Sequence, residues 1–244
     1  MAGLGKGLAL IEAFGREHPR LTVADAARAT DTTRATARRC LLTLEALGYV
    51  VHDGKFFHPT PRMLRLGASF LETSPLPTLA QPHLESARNE LAESISLAVL
   101  EEDWSVFVAR AEAQRIVSTG VRLGARLPAH ASATGRVLLA ALSDEELDAH
   151  LRLCRPRRQT PHTITGKAAI RTRVETARDE RMAYTDEELE LGMRTMAVPV
   201  ADARGTVRAA MSVSTFAARV TLDEMREQFL PVLRVHADRV GRML

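Results

Sequence analysis

TVADAARATDTTRATARRCLLTLEALGYV, residues 22–50, decides how this chain is read. Thr22 stands where an N-cap belongs, ahead of a short run through Val23, Ala26, Ala27 and Ala29. Asp25 falls in that run's first turn, where the helix dipole favours an acid. Thr30-Asp31-Thr32-Thr33 is a turn dense in capping residues. It feeds a second helix from Arg34, whose Ala37, Cys40, Leu41, Leu44 and Leu47 share one face and which Gly48 is placed to close. A short helix, a tight turn and a second helix with polar N-terminal residues form the geometry that enters a DNA major groove. Beyond it, Tyr49-Val50-Val51 and Lys55-Phe56-Phe57-His58 flank Asp53-Gly54, the pattern of a two-stranded wing.

Upstream, Leu4, Leu8, Leu10, Ile11 and Phe14 form a helical stripe that ends near His18-Pro19. The stripe lacks a small-residue cleavage site and soon meets Glu12, Arg16 and Glu17, so it reads as an amphipathic helix and not a signal peptide. Downstream, Pro59 and Pro61 close the wing, and Met63, Leu64, Leu66, Phe70 and Leu71 predict a linker helix over 62–73. Ser74-Pro75-Leu76-Pro77 breaks it. The expected organisation is a DNA-binding winged helix-turn-helix over 1–61, a linker helix over 62–75 and a larger domain over 76–244.

The larger domain alternates strand and helix patterns. A helix is expected over 78–91, then strands 94–101 and 105–112 around a Glu102-Asp103 hairpin turn, then a strand at 116–121. Helices follow at 134–142, at 143–151 behind Ser143, and at 167–181, with a basic loop over 152–166. Strands at 195–200 and 207–214 flank a turn at 202–205, and Thr221 caps a final helix. Strands, then helices, then strands again predict an α+β fold with an antiparallel sheet.

Composition agrees with a globular chain: 45% apolar and 26% charged residues exclude disordered and fibrous classes. No apolar run approaches the roughly 20 residues that span a bilayer, so no membrane partner is expected. Two cysteines, Cys40 and Cys154, are too few for a disulfide framework, which fits a cytoplasmic protein. The net charge of +3 is unevenly spread: residues 1–73 hold ten Lys/Arg against seven Asp/Glu, and the remainder holds 23 of each. The excess therefore lies in the module expected to meet a polyanion.

The candidate DNA contacts follow from the helical wheel. With Ala37, Leu41 and Leu44 inward, Arg38 and Arg39 point outward, with Arg34 and Thr36 at the edges. Thr32 and Thr33 sit at the helix start, where hydroxyls and backbone N–H groups suit phosphate oxygens. Arginine is shaped for bidentate contact with guanine, and no acid occurs between Arg34 and Leu44. Lys55 and His58 in the wing are further candidates for phosphate or minor-groove contact. The plainer alternative, a solvated amphipathic face, loses ground to the capped helix, turn, wing and confined charge taken together. Leu42 points away from the core stripe, towards either the wing or a partner subunit.

Five pieces, KGLALIEAF (6–14), residues 22–50, RLGARLPAHASATGRVLLAAL (122–142), EELELGMRTMAVPV (187–200) and AAMSVS (209–214), occur in an order that resembles the IclR-type transcriptional regulators over nearly the whole chain. ATARRCLLTLEALGYV and the 122–142 block are most similar to the subgroup controlling aromatic-acid catabolism, the protocatechuate and 4-hydroxybenzoate branches of the β-ketoadipate pathway. The resemblance implies winged modules that dimerise with help from the linker helix, and a GAF-like C-terminal domain that binds a small-molecule effector, commonly in tetramers. It implies a pocket using His130, Ser132, Ala133, Thr134, Met193, Thr195, Ser212 and Ser214; some members carry a cysteine where this chain has Thr195. RNA polymerase is a further candidate partner, since effector binding that moves the winged modules would alter either operator affinity or contact with the polymerase.

The residues themselves agree in kind. Ser212 and Ser214 lie two apart on a strand and share a face. Directed hydroxyls in an apolar cleft suit a small carboxylate, and Arg122, Arg126 and Arg194 are candidate partners because arginine binds carboxylates bidentately. Neither a cofactor nor a metal is expected: His150 and Cys154 are four apart, and two ligands make no metal site. Enzyme signatures are missing, with no G-x-S-x-G elbow, H-E-x-x-H pair, phosphate loop or dinucleotide fingerprint, so no catalytic residues are assigned. Three alternatives remain: a regulator of another carbon pathway answering a glyoxylate-like acid, a C-terminal domain that only oligomerises, and a hydrolase fused to a DNA-binding module.

Overall fold

Thr22 and Thr33 set the frame of the N-terminal part by satisfying N–H groups that helix starts leave open. In the computed structural model, which describes residues 2–15, 17–113 and 121–244, the chain divides into two compact units, Met1–Thr73 and Ser74–Leu244. The first holds α1 (Ala2–Glu12), α2 (Val23–Ala29), α3 (Arg34–Ala46), β1 (Val50–His52), β2 (Phe57–Pro59) and α4 (Leu64–Thr73), the last preceded by a 3-10 turn at Pro61–Met63. Thr22 closes a capping box with Asp25, and the Thr33 hydroxyl accepts the Thr36 N–H. Gly48 follows α3 with φ of 77°, a left-handed conformation that glycine adopts without steric cost. Leu10, Leu21, Ala26, Ala37, Leu41, Leu44, Val50 and Phe57 form the core, and Leu21 bridges to Phe57 so that the wing's second strand is anchored under α2.

The second unit contains a six-stranded antiparallel sheet in the order β5-β4-β3-β8-β7-β6. Its strands are β3 (Ser94–Glu101), β4 (Trp104–Ala111), β5 (Arg126–Pro128), β6 (Ala183–Asp186), β7 (Met193–Ala201) and β8 (Val207–Phe216). Period-2 alternation sends Ile95, Leu97, Met196, Val198, Met211 and Val213 to one face. There they pack on α5 (Pro75–Leu91) and on the final helix, which runs from α9 (Leu222–Glu224) through a π turn at Met225–Phe229 into α10 (Leu230–Gly241). Ala183, Ala197 and Ala210 face the other way, against α6 (Ala133–Ala140), α7 (Asp144–Leu153) and α8 (Lys167–Glu180). Small residues there let α6 lie close to the sheet. A Cβ on Gly135 would come within 2.3 Å of the Ala129 backbone, so that position admits only glycine without movement.

Several expected boundaries shift. α5 begins at Pro75, three residues before the expected start, because Pro75 and Pro77 sit in a first turn whose N–H groups need no intrahelical acceptor. β5 and β6, three and four residues long, are too short to show a period in sequence. The strand expected at 116–121 falls, apart from Val121, outside the described residues.

One buried ion pair ties this half together. Arg136 on α6 is 1% exposed and meets Glu188 bidentately, at 2.7 and 2.6 Å. Its Nε donates to the His130 carbonyl at 3.0 Å and its Nη1 to the Tyr184 carbonyl at 3.2 Å. The Glu188 carbonyl accepts the Thr163 hydroxyl at 2.6 Å, which draws the 154–166 loop into the same network. Removing one member leaves the other charge buried and unpaired. Arg136→Ala is expected to destabilise the C-terminal unit by about 3–5 kcal/mol in urea unfolding. The Arg136→Met/Glu188→Leu double variant should recover most of that loss; a single variant that unfolds like the parent would refute the role given to the pair.

Candidate nucleic-acid interface and ligand site

Arg34, Arg38 and Arg39 are exposed on α3, as Ala37, Leu41 and Leu44 occupy its buried face. Among the described residues none of the three has an acidic partner within ion-pair distance, whereas Arg28 on α2 is held by Asp25. Thr33 and Thr36 bond each other at the helix start, hydroxyl to hydroxyl at 3.0 Å, and Thr32 is tied to the Thr30 hydroxyl at 3.0 Å. Thr36 and Arg39 also edge a groove of about 680 Å³ between α1 and α3, whose apolar lining includes Leu4, Leu8, Leu47 and Leu66. Leu42 is 38% exposed.

In the wing, Lys55 is exposed and lies 5.1 Å over the Phe56 ring. His58 is committed within the fold: its Nε2 lies 2.8 Å from Asp53 Oδ2. Asp53 also accepts the Phe56 and Lys55 N–H groups, and these bonds, with that to His58, hold its carboxyl well below the usual carboxylate range. His58 thus helps to fix the hairpin turn, with its side chain 35% exposed. Arg20 stacks on Phe56 at 4.1 Å, a cation at the wing outside the sequence-based candidates.

In the second unit, sheet register gathers some of the expected ligand residues and separates others. Ser94, Ser214, Thr195 and Thr185 pair in sequence across β3, β8, β7 and β6, making a ladder of four hydroxyls. Thr195 Oγ1 and Ser214 Oγ lie 3.1 Å apart. The next row on that face is Arg110, Ser96, Ser212, Ala197 and Ala183. Met193, two residues before Thr195, shares the face. Arg110 was not foreseen, although an arginine inside the apolar strand SVFVARA is the signal for it. Its side chain is 6% exposed, donates to Ser96 Oγ at 2.9 Å and lies 3.8 Å from Glu112; burial lowers its pKa, and Glu112 counters that.

Of the other expected ligands, Arg194 points away from this face, whereas Ala133 and Thr134 ride on α6, which packs against it. Arg194 lies between Met193 and Thr195 and so points through the sheet to the opposite face. There Asp186 holds it at 2.6 Å and raises its pKa, and the carbonyls of Ala217 and Val220 accept from it at 2.9 Å. Arg126 is half exposed, paired with Glu101 at 3.3 Å and stacked on Trp104, and Arg122 is exposed. Ser132 is the N-cap of α6 and donates to the Pro128 carbonyl, Ala133 is fully buried, and Thr134 accepts from Ser105 Oγ at 2.7 Å. These three seat α6. His130 lines a different cavity, which none of Met193, Thr195, Ser212 or Ser214 touches.

Comparison with known proteins places this arrangement. Residues 3–54 match the model of the IclR helix-turn-helix domain, and residues 68–242 that of the bacterial transcriptional regulator IclR C-terminal domain. The chain is 38% identical over 234 residues to the Pca regulon regulatory protein of Pseudomonas putida, covering 96% of this chain and 80% of that one. A transcriptional regulator structure from Rhodococcus sp. RHA1 superposes with a TM-score of 0.85 at 44% identity, over 99% of this chain and 97% of that one. An IclR homologue from Microbacterium hydrocarbonoxydans, solved in complex with 4-hydroxybenzoate, gives a TM-score of 0.80 at 26% identity, over 98% and 97% of the two chains.

The opposed faces of Arg194 and Thr195 are separable by mutation. Arg194→Gln is expected to cost about 2 kcal/mol in chemical unfolding, since it removes charge-assisted bonds to Asp186 and two carbonyls. Thr195→Val, on the hydroxyl face, should change stability by less than about 1 kcal/mol. Equal losses for the two would contradict the assignment of Arg194 to the frame.

Proposed function

The chain belongs to the IclR family of bacterial transcriptional regulators, and on that footing we propose that its hydroxyl-lined sheet face receives an aromatic acid that governs binding of α3 to operator DNA. The observation carrying this reading is the juxtaposition of Arg110 with two rows of hydroxyls on one face of the sheet. A desolvated guanidinium favours an anion beside it, and its fork suits a carboxylate. Ser212, Ser214 and Thr195 supply short-range donors and acceptors for a ring hydroxyl. The 4-hydroxybenzoate bound by the Microbacterium homologue is an acid of this kind, and the likeness to a Pca regulon regulator points to the same class.

At the DNA, Arg34, Arg38 and Arg39 enter the major groove from α3 while Lys55 and Arg20 approach the backbone from the wing. Two such modules per dimer read half-sites of a near-palindrome, and the effector shifts the balance between arrangements that bind DNA with different affinity. The apolar groove of α1 and α3, flanked by Leu66 of α4, is where a second copy packs: Leu4 and Leu64 are 74% and 76% exposed, and such side chains gather at interfaces.

The test is fluorescence anisotropy with DNA from upstream of the protein's own coding region, at two salt concentrations, with 4-hydroxybenzoate, protocatechuate, β-ketoadipate or glyoxylate. Salt-sensitive binding shifted by one aromatic acid is expected; a shift by glyoxylate alone moves the effector to the small aliphatic class. Arg38→Ala should weaken operator binding by about 1–3 kcal/mol. Arg110→Met should abolish the effector shift while leaving ligand-free DNA binding intact, and a retained shift removes Arg110 from the site. Leu66→Glu should lower the dimer fraction in light scattering; an unchanged mass at micromolar concentration would discard the groove as an interface.

A further inference from the structure

The 122–142 block delivers His130 to a cavity of its own. About 450 Å³ in volume, it lies between the β3–β4 turn, the end of β5, the C-terminal end of α7 and the start of the 154–166 loop. Asp103, Trp104, His130, His150, Arg155 and Arg157 supply its polar and aromatic lining. His130 is 7% exposed, yet its Nε2 has no hydrogen-bond partner. Burial pulls the ring's pKa below the ordinary histidine value, with a hydrogen bond to the Arg157 backbone partly countering it. That bond engages Nδ1, since Nε2 is the unpartnered atom, so a neutral ring presents Nε2 as a lone-pair acceptor. A buried acceptor without a donor costs free energy, and the cavity beside it is where a donor enters.

The rim sets the rest of the ligand. Arg155 and Arg157 are exposed, and no described acid pairs with either. Asp103 is on the same wall, 3.3 Å from His150, so the net charge of the lining leaves room for one carboxylate and repels a second. Burial lowers the His150 pKa and raises that of the Cys154 thiol nearby, so both stay neutral near pH 7 and neither offers a competing charge. We propose that this cavity is a second small-molecule site, separate from the hydroxyl-lined face, that takes a hydroxylated monocarboxylate: its carboxylate binds Arg155 and Arg157, and its hydroxyl donates to His130 Nε2.

Trp104, the only tryptophan of the chain, lines this cavity and reports on it directly. The experiment titrates full-length protein with cis-3-hydroxycyclohexanecarboxylate and glycolate, and with cyclohexanecarboxylate and acetate as hydroxyl-free controls, following tryptophan emission. A saturable change is expected with a hydroxy acid, at least about tenfold tighter than with its control, the size of one lost hydrogen bond to a buried acceptor. His130→Phe and Arg157→Gln should each weaken it by about tenfold or more, and Ser214→Ala should leave it within about twofold. Arg157→Gln changes an exposed loop side chain, so it tests the site even where His130→Phe fails to fold. No saturable change up to about 20 mM would overturn the proposal. So would equal binding of the hydroxyl-free acids, or a response lost in Ser214→Ala and kept in Arg157→Gln, which would place the ligand on the hydroxyl-lined face.

Discussion

The C-terminal unit depends on a charge that has been taken out of water. Arg136 is among its most deeply buried large side chains, and a guanidinium in that position is tolerated only if its donors are met. Glu188 meets two of them and the carbonyls of His130 and Tyr184 meet others. Each acceptor comes from a different stretch of chain, so one side chain fixes α6, β6, the loop before β7 and the segment that carries His130. Thr160 and Thr163 then bind the 154–166 loop to the carbonyls of Glu187 and Glu188. The two regions proposed to receive ligands are shaped by this clasp: it places α6 on the alanine-rich sheet face beside the hydroxyl rows, and it places His130 in the cavity that Arg155 and Arg157 also line.

Much of this architecture was readable from local chemistry. Thr22, Thr33, Ser143 and Thr221 each cap the helix expected behind them, with Asp25, Glu146 and Glu224 completing capping boxes at three of the four. The Asp53-Gly54 turn and the hairpins at 94–112 and 193–216 carry their signals within a few residues. β5 and β6 do not, because edge strands of three or four residues owe their existence to a partner strand far along the chain. Pro75 and Pro77 mislead for the opposite reason: a residue pair that breaks a helix interior is compatible with a first turn.

The candidate site was legible in part, and alternation explains the division. Met193, Thr195, Ser212 and Ser214 share a face because residues two apart on a strand must. The same rule turns Arg194 away from them, so proximity in sequence to Thr195 carried no information about proximity in space. Arg110 comes to this face only through register, with Ser96 opposite it and Ser212 on the next strand, and no local pattern in the sequence states that register. His130 and Ser132 are separated by a different cause, since the chain turns into α6 between them and points the imidazole into another cavity.

Charge distribution separates the two units by the same logic of pairing. In the C-terminal unit, arginines 110, 126, 136, 171, 178, 194, 208, 219 and 226 each lie beside a carboxylate, so these nine cations help to hold helices, turns and strands in place. In the N-terminal unit, the described ion pairs are Arg28 with Asp25 and His58 with Asp53, and the arginines of α3 have none. A surface that must neutralise phosphates has to keep its cations unpaired in the free protein, because each internal partner would have to be displaced on binding. The excess of three positive charges over residues 1–73 is small, and it matters because it is concentrated on one exposed helix. Beyond residue 73 the 23 cations are matched by 23 anions, and the ion pairs among them, from Arg110 with Glu112 to Arg136 with Glu188, serve the internal frame and leave no net charge for a polyanion.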